Sequence, residues 1–349
     1  MRRNTLGRTN IEVSEICLGT MTWGSQNTPE EAFAQIDRSL ERGVNFLDTA
    51  ELYPTTPLSE ETFGRTEEII GDWIERSGRR GDIVLATKIP GVGLSYARGG
   101  PPISGSALRE AVDISLRRLK TDHIDLYQAH WPNRGSYHFR AAWTYDATKL
   151  RGDRSEMRAH VEDVLGAAQQ LIDAGKIRSF GLSNETCWGV SQWLDASDRL
   201  GLPRVVSTQN EYNLLYRSFD LDLAELSHFE DVGLLAYSPL AAGLLTGKYL
   251  GGAIPPGSRA SIRADLGGRV SAHSEQPVSE YVALAKAHGL DPATMAVAFT
   301  LTRPFMTSSI IGATSMAQLE VCLDAADVTL SDEVLEGIAD IRRRFPMPI

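Results

Sequence analysis

Residues 83–88 read IVLATK, a run that is apolar until its last two positions. A half-exposed strand alternates apolar and polar residues, whereas a strand covered on both faces of a parallel sheet is apolar almost throughout. The stretch is therefore predicted to be a strand that is buried on both faces. Seven further runs share this character: Ile16–Met21, Asn45–Ala50, Ile124–Trp131, Ser179–Asn184, Val205–Asn210, Leu234–Leu240 and Ser308–Thr314.

Amphipathic segments with helical spacing follow most of these runs. They are Glu30–Glu41, Thr66–Arg76, Ser106–Arg118, Met157–Ala174, Cys187–Leu200, Leu221–Glu230, Thr294–Thr302 and Met316–Ala326. Alternating strands and helices indicate an α/β fold, and eight such units match the closed (β/α)₈ TIM barrel. An open, doubly wound sheet is the competing arrangement.

Three segments interrupt the regular alternation, and a fourth follows it. Thr5–Val13 precedes the first strand and is predicted to be a short hairpin that closes the floor of the barrel. Pro132–Ser155 is rich in aromatic residues, and Gly243–Pro277 is rich in Gly, Pro and Arg. Long loops that follow barrel strands lie at the carboxyl-terminal face, where active sites are built. Ser331–Phe345 is predicted to be an extra carboxyl-terminal helix. Because no segment has the composition of a domain linker, residues 1–349 are expected to form one domain.

Composition excludes several classes of function. The formal net charge of the 349 residues is −10, which argues against binding to nucleic acid or to an anionic membrane surface. No apolar run reaches the roughly 18–20 residues that a membrane span needs. The three cysteines are far apart and lack metal-ligand spacing, so no metal site is expected. Their number and spacing also do not suggest disulfides, so a cytoplasmic location is expected. The first strand is not followed by G-x-G-x-x-G, so a dinucleotide would not be bound in the Rossmann manner.

Titratable residues stand at the carboxyl ends of three successive predicted strands. Asp48 lies near the end of the second run, Lys88 ends the third, and His130 lies near the end of the fourth; Tyr53 follows in the second loop. In a barrel these ends meet at one mouth, where a Lys88–Asp48 pair would avoid burying either charge alone. The lysine is expected to lower the pKa of Tyr53 from about 10 toward neutral pH and so to make it a general acid or base. Taken singly, such an aspartate is more often a cap, such a tyrosine a wall residue and such a histidine a core residue, so the prediction depends on their occurring together.

The chain resembles the aldo/keto reductase superfamily in motifs that are spread over nearly its whole length. They are DTAELY at 48–53, Lys88, QAHWP at 128–132, GLSN at 181–184, QNEYN at 209–213, YSPL at 237–240 and IGAT at 311–314. Within the superfamily it is similar to the bacterial Tas-type reductases, notably in AELYP at 50–54, SNET at 183–186 and LLTGKY at 244–249.

The resemblance implies a barrel that binds NADPH across its mouth, needs no metal and reduces small carbonyl substrates to alcohols. By motif position, Tyr53 is the expected proton donor, Lys88 and Asp48 lower its pKa, and His130 orients the substrate. The cofactor contacts are expected from Gly19, Thr20 and Met21 after the first strand; from Ser183, Asn184 and Gln209 at the carboxamide; from Tyr237 on the nicotinamide ring; from Ser238, Pro239, Leu240, Gly243 and Lys248 along the pyrophosphate; and from Gly312, Thr314, Ser315 and Gln318 at the 2′-phosphate. Trp23 and Trp131 are the expected walls of the substrate pocket.

Two positions depart from the family pattern. Cys322 stands where many members have an asparagine that contacts adenine, and no basic residue lies in 311–318. Arg263 or Arg269 is therefore expected to supply the charge for the 2′-phosphate. Two other functions remain open: a redox-sensing nicotinamide-binding module with slow turnover, like the potassium-channel β subunits, and a metal- or phosphate-dependent lyase or hydrolase.

Overall fold

Eight parallel strands close into a barrel in this computed structural model, which describes residues 1–349. Each barrel strand pairs with the next along the chain, and the last returns to pair with the first. The (β/α)₈ barrel predicted from the sequence is thereby confirmed. The barrel strands are β3 (Ile16–Gly19), β4 (Phe46–Asp48), β5 (Val84–Ile89), β6 (Ile124–Ala129), β7 (Ile177–Ser183), β8 (Val205–Glu211), β9 (Gly233–Tyr237) and β10 (Met306–Ile311).

Helices cover the outside of the barrel, and one further short helix, Arg259–Ile262, lies in the 243–277 loop. They are α1 (Pro29–Glu41), α2 (Arg65–Ser77), α3 (Gly105–Arg118), α4 (Arg154–Asp173), α5 (Cys187–Leu200), α6 (Asp222–Glu230), α7 (Arg259–Ile262), α8 (Glu275–Ala287), α9 (Pro292–Leu301), α10 (Met316–Leu323) and α11 (Asp332–Arg344). Every predicted helix is present, and α11 is the expected extra helix. None of these helices combines the length and the apolar composition that crossing a bilayer requires.

Helix α8 was not predicted from the sequence. Pro277 was interpreted as part of a loop, but it occupies the first turn of α8. Proline is tolerated there because the backbone N–H groups of a first turn have no partner within the helix. Where polar caps precede the apolar pattern, the helix boundaries are sharp: the side chain of Thr28 accepts from the backbone N–H of Glu31 at the start of α1, and Gly201 ends α5 in the left-handed conformation.

The hairpin expected at the start of the chain is formed by β1 (Arg3–Thr5) and β2 (Glu12–Ser14), which pair antiparallel. Leu6, in the connection between them, is fully buried and belongs to an apolar cluster inside the lower half of the barrel. The other members of this cluster are Ile11, Val13, Cys17, Phe46, Val84, Ala86, Leu126, Val206, Leu235 and Ile310. The hairpin therefore closes the floor.

Strand periodicity changes the chemistry of the barrel interior from floor to mouth. Side chains two positions apart point to the same face of a strand. In β5, Val84 and Ala86 belong to the apolar floor, and Lys88 comes next on the same face. In β4, Phe46 lies in the floor and Asp48 comes next. The inward-facing series thus becomes polar at the carboxyl ends, where the candidate site lies.

Candidate active site

Lys88 and Asp48 form an ion pair at the carboxyl ends of two neighbouring strands. Lys88 Nζ donates to Asp48 Oδ2 at 2.7 Å and to the carbonyl oxygen of Thr49 at 2.7 Å. The lysine is fully buried, and its burial alone would lower its pKa. The negative charge of Asp48, with a smaller effect of Tyr53, outweighs burial and raises the pKa of Lys88 above its usual value. Lys88 is therefore charged at neutral pH.

Tyr53 lies beside this pair, with Lys88 Nζ 5.0 Å from the centre of its ring. Its pKa differs from the expectation. Burial raises the pKa of Tyr53 above 10, and the opposing effect of Lys88 is partly cancelled by the negative charge of Asp48. The expected lowering is thus wrong for this structure, because a lysine that is already paired stabilises a neighbouring phenolate less. Tyr53 keeps its proton at neutral pH.

His130 faces Tyr53 from the end of β6. The two ring centres are 6.0 Å apart, and the planes are inclined by 72°. Burial, and then the charge of Lys88, lower the pKa of His130 well below 6.5, so the imidazole is neutral. Its Nδ1 is buried and has no hydrogen-bond partner. The site therefore pairs a protonated phenol with a neutral imidazole.

Gln209 joins Asp48 to the other side of the barrel. Its Nε2 donates to Asp48 Oδ1 at 2.7 Å and to Gln128 Oε1 at 3.3 Å. Both oxygens of the Asp48 carboxylate therefore accept from buried donors, one from the amide and one from the lysine.

A second set of hydrogen bonds holds the ends of β7 and β9. Asn184 Nδ2 donates to the carbonyl oxygen of His130 at 2.9 Å, and Tyr237 Oη donates to Asn184 Oδ1 at 2.8 Å. Ser183 Oγ donates to the carbonyl oxygen of Gln209 at 2.7 Å. The residues expected at the nicotinamide are thus brought together with the four candidate catalytic residues.

The remaining candidate cofactor residues lie at the same mouth of the barrel. Gly19 ends β3, and the others follow β3 (Thr20, Met21), β9 (Ser238, Pro239, Leu240, Gly243, Lys248) and β10 (Gly312, Thr314, Ser315, Gln318). Gln318 Oε1 accepts from the backbone N–H of Thr314 at 3.0 Å, and Ser315 caps α10. No group of three or more His, Cys, Asp or Glu side chains is placed to hold a metal ion.

The two tryptophans expected to line the substrate pocket are placed differently. Trp131 is partly exposed, with its ring centre 5.0 Å from that of His130. Trp23 is fully buried in the core, and its Nε1 donates to Gln35 Oε1 at 3.1 Å. The indole of Trp23 thus packs among core side chains and reaches a hydrogen-bond acceptor on α1.

Comparison with known proteins agrees with this geometry. The model of the Aldo/keto reductase family matches residues 15–343. This chain belongs to the aldo/keto reductase family. It is 40% identical to "Protein tas" of Escherichia coli (strain K12), over 100% of this chain and 99% of that protein.

Two other relatives match over a similar extent. One is "Uncharacterized oxidoreductase YrpG" of Bacillus subtilis (strain 168), at 32% identity over 100% of this chain and 97% of that protein. The other is "Probable voltage-gated potassium channel subunit beta" of Arabidopsis thaliana, at 30% identity over 99% of this chain and 98% of that protein. Family membership makes this chain an oxidoreductase.

The three arginines of the 243–277 loop differ in their partners in this aldo/keto reductase. Arg269 is largely buried and is held by Glu211, whose two oxygens accept from its Nε at 2.9 Å and its Nη2 at 2.8 Å. Arg263 is exposed and pairs with Asp265 at 2.9 Å. Arg259 has no carboxylate partner, and its Nε is buried without any partner. Burial, and then the charges of Arg269 and Arg263, lower the pKa of Arg259 to about 10. Of the three arginines in the loop, Arg259 is therefore the one without a carboxylate partner.

The sequence analysis assigned no role to two buried carboxylates at the mouth of the barrel. Glu51, in the DTAELY motif, is fully buried and accepts from Arg98, and burial raises its pKa to about 7. Glu211, in the QNEYN motif, accepts from Arg140 and from Arg269. Both motifs were recognised, but the arginine partners lie far along the chain, so no local pattern revealed these pairs.

Proposed function

We propose that this chain is an NADPH-dependent carbonyl reductase that converts aldehydes and ketones to alcohols, with Tyr53 as the general acid. The observation that carries the proposal is the buried Lys88–Asp48 pair, with Tyr53 and a neutral His130 beside it. The substrate is a small carbonyl compound, with no nucleic-acid or membrane partner. The three cysteines are free, in keeping with the cytoplasmic location that the proposal includes.

The residues at the mouth fit a nicotinamide nucleotide. Arg259 carries a positive charge with no carboxylate partner and with its Nε orphaned, which suits a phosphate group. Ser183, Asn184 and Gln209 offer a hydroxyl and two amides at the ends of adjacent strands, where a carboxamide could be held. Bound NADPH would supply the hydride, while the chain's own residues manage the proton and the substrate.

Tyr53 suits the task of proton donor because it keeps its proton at neutral pH. When a carbonyl oxygen gains negative charge, the phenol can donate its proton to that oxygen. The cation of Lys88 stabilises the phenolate that is left, and Asp48 keeps the lysine charged in its buried position. A neutral His130 can donate one hydrogen bond to the same oxygen and thereby fix its position.

The test is a turnover assay with purified protein, NADPH and a reactive aromatic aldehyde. We expect NADPH consumption, followed by absorbance, to match alcohol formation, with many turnovers for each protein molecule. NADPH that binds to the protein but is not consumed with any aldehyde would overturn the proposal.

A second candidate function is a redox-sensing nicotinamide-binding module. The relative from Arabidopsis thaliana whose name marks it as a probable potassium-channel β subunit supports it, because the match covers nearly all of both chains. This function predicts tight nucleotide binding with turnover that is slow even with reactive aldehydes.

A further inference from the structure

Glu211 ends β8 and holds two arginines with one carboxylate. Its two oxygens accept from Arg269 at 2.9 and 2.8 Å, and Oε2 also accepts from Nη2 of Arg140. Only 2% of the Glu211 side chain is exposed, and 11% of each arginine side chain. Burial alone would raise the pKa of Glu211, but Arg269 and Arg140 together lower it below its usual value. The carboxylate is therefore ionised at neutral pH.

The two arginines come from the two long loops at the mouth. Arg140 lies in residues 132–155, which we name the substrate loop, and Arg269 lies in residues 243–277, which we name the nucleotide loop. The loops also touch directly, because a Cβ atom built on Gly268 would lie 3.0 Å from Cγ of Arg140. Glu211 thus sits beneath the point where the loops meet.

Each arginine is close to one half of the candidate site. Phe139, the neighbour of Arg140, packs edge-on against Trp131 at 6.1 Å between ring centres, and Trp131 packs against His130. On the other side, Nη2 of Arg269 lies 3.5 Å from Oγ of Ser238, a candidate cofactor residue. The carboxylate therefore lies between the substrate wall and the nucleotide groove.

The two loops cannot move independently without an electrostatic cost. Arg140 has no other carboxylate partner, and its Nε and Nη1 are buried without any hydrogen-bond partner. If either loop moved away, a buried charge would lose part of its compensation, and such losses are strongly unfavourable. The position of one loop thereby constrains the position of the other.

We propose that Glu211 is a positioning residue that couples the nucleotide loop to the substrate loop, so that nucleotide binding orders the wall against which the carbonyl substrate packs. This inference rests on the proposed function, because it assumes that NADPH binds at the nucleotide loop. Glu211 itself acts through Arg140 and Arg269, not on the reacting atoms.

Limited digestion with trypsin measures this coupling without any turnover. Lys149 and Arg151 are exposed in the substrate loop and offer cleavage sites. The rate of cleavage there, followed by mass spectrometry, is compared with and without saturating NADPH. NADPH affinity is measured separately for each variant by quenching of tryptophan fluorescence, so that every digestion with NADPH is done at a concentration that fills the site.

Asp125 provides a matched control at the opposite end of the barrel. Near the start of β6, it is buried and also accepts from two arginines, Arg80 at 2.8 Å and Arg178 at 2.6 Å. Asp125→Asn therefore removes the same kind of buried charge, far from both loops. Asp125→Asn therefore controls for any change in cleavage that results only from a general loss of stability.

In the native chain and in Asp125→Asn, we expect NADPH to slow cleavage of the substrate loop by about tenfold. In Glu211→Gln, NADPH should still bind but should slow cleavage less than twofold. Arg140→Met, which leaves the Glu211–Arg269 pair in place, should lose the protection in the same way, and it serves as the test if Glu211→Gln does not fold.

Full protection in Glu211→Gln or, if that variant does not fold, in Arg140→Met would overturn the coupling. So would binding of NADPH to the native chain without protection of the loop. If the native chain did not bind NADPH at all, the proposed function would be refuted, and the coupling with it. The fluorescence titration therefore distinguishes a failure of the proposed function from a failure of the coupling alone.

Discussion

Gln209 Nε2 lies 2.7 Å from Oδ1 of Asp48, the carboxylate whose other oxygen accepts from Lys88 at 2.7 Å. One buried carboxylate thus links an amide of the candidate nucleotide site to the lysine beside Tyr53. The predicted pairing of Lys88 with Asp48 is confirmed, and the amide adds a third member that the strand-end pattern did not include.

The first prediction compares Lys88→Met with Asp48→Asn. Without Lys88, the Asp48 carboxylate loses its counter-ion and Tyr53 its cation, so we expect no activity and a loss of several kcal/mol in the free energy of unfolding. Asp48→Asn should reduce kcat/KM less, because Lys88 keeps its bond to the carbonyl oxygen of Thr49. Steady-state kinetics and urea unfolding check both effects. The opposite order of activities would contradict the pairing.

The second prediction concerns Tyr53→Phe. The loss of a general acid is expected to lower kcat by about 10²–10⁴. Nucleotide affinity should stay within twofold of the native value, because the proton is delivered to the substrate. Kinetics with an aromatic aldehyde and fluorescence titration with NADPH measure the two quantities. Near-native turnover in this variant would exclude Tyr53 as the proton donor.

The third prediction concerns Arg259→Ala. Removing the unpartnered cation should weaken NADPH binding by about tenfold, the value of one charge-assisted hydrogen bond. Arg263→Ala is the matched control, since Arg263 is exposed and already paired with Asp265; its effect should stay below twofold. Binding is titrated by tryptophan fluorescence at two salt concentrations, and the contribution of Arg259 should shrink as salt rises. Equal affinities for native chain and Arg259→Ala would refute the assignment.

The fourth prediction concerns stability at low pH. Burial lowers the pKa of His138 to about 4, and its Nε2 lies 3.1 Å from the carbonyl oxygen of Glu185. The unfolded chain takes up this proton near pH 6.5 and the folded chain only near pH 4. The contribution of His138 to stability is therefore complete above pH 6.5 and is lost progressively as the pH falls toward 4.

Between pH 7 and pH 5, the native chain should consequently lose about 2 kcal/mol more than His138→Gln, measured by urea unfolding at both values. Gln can keep a hydrogen bond to Glu185 but does not titrate. The same loss in both chains would show that His138 does not titrate as its burial indicates.

The barrel could be predicted because its information is local. Residues 83–86 are all apolar, as in a strand covered on both faces, and Gly201 follows the predicted helix Cys187–Leu200 at the position where α5 ends. The part of the candidate site that lies at strand ends could also be predicted, because Asp48, Lys88 and His130 each stand near the end of a predicted strand. A strand end fixes where a side chain starts and which face it points to.

What could not be predicted depends on contacts between distant segments. Arg269 is 58 residues from its partner Glu211, so no local pattern favoured Arg259 over Arg269 as the phosphate ligand. The orientation of Trp23 depends on Gln35, an acceptor on a neighbouring helix. The pKa of Tyr53 depends on the balance between burial and a paired lysine, which no local pattern contains.

The hairpin at the floor also has a consequence for the order of folding. Asn4 Nδ2 donates to the carbonyl oxygen of Thr307, a residue 303 positions further along the chain. Leu6 shares its cluster with Val206, Leu235 and Ile310, which belong to the last three strands of the barrel. Contacts between such distant positions form slowly, because a long stretch of chain must be ordered first. We therefore expect the segment that comes first in the sequence to be among the last to reach its native packing.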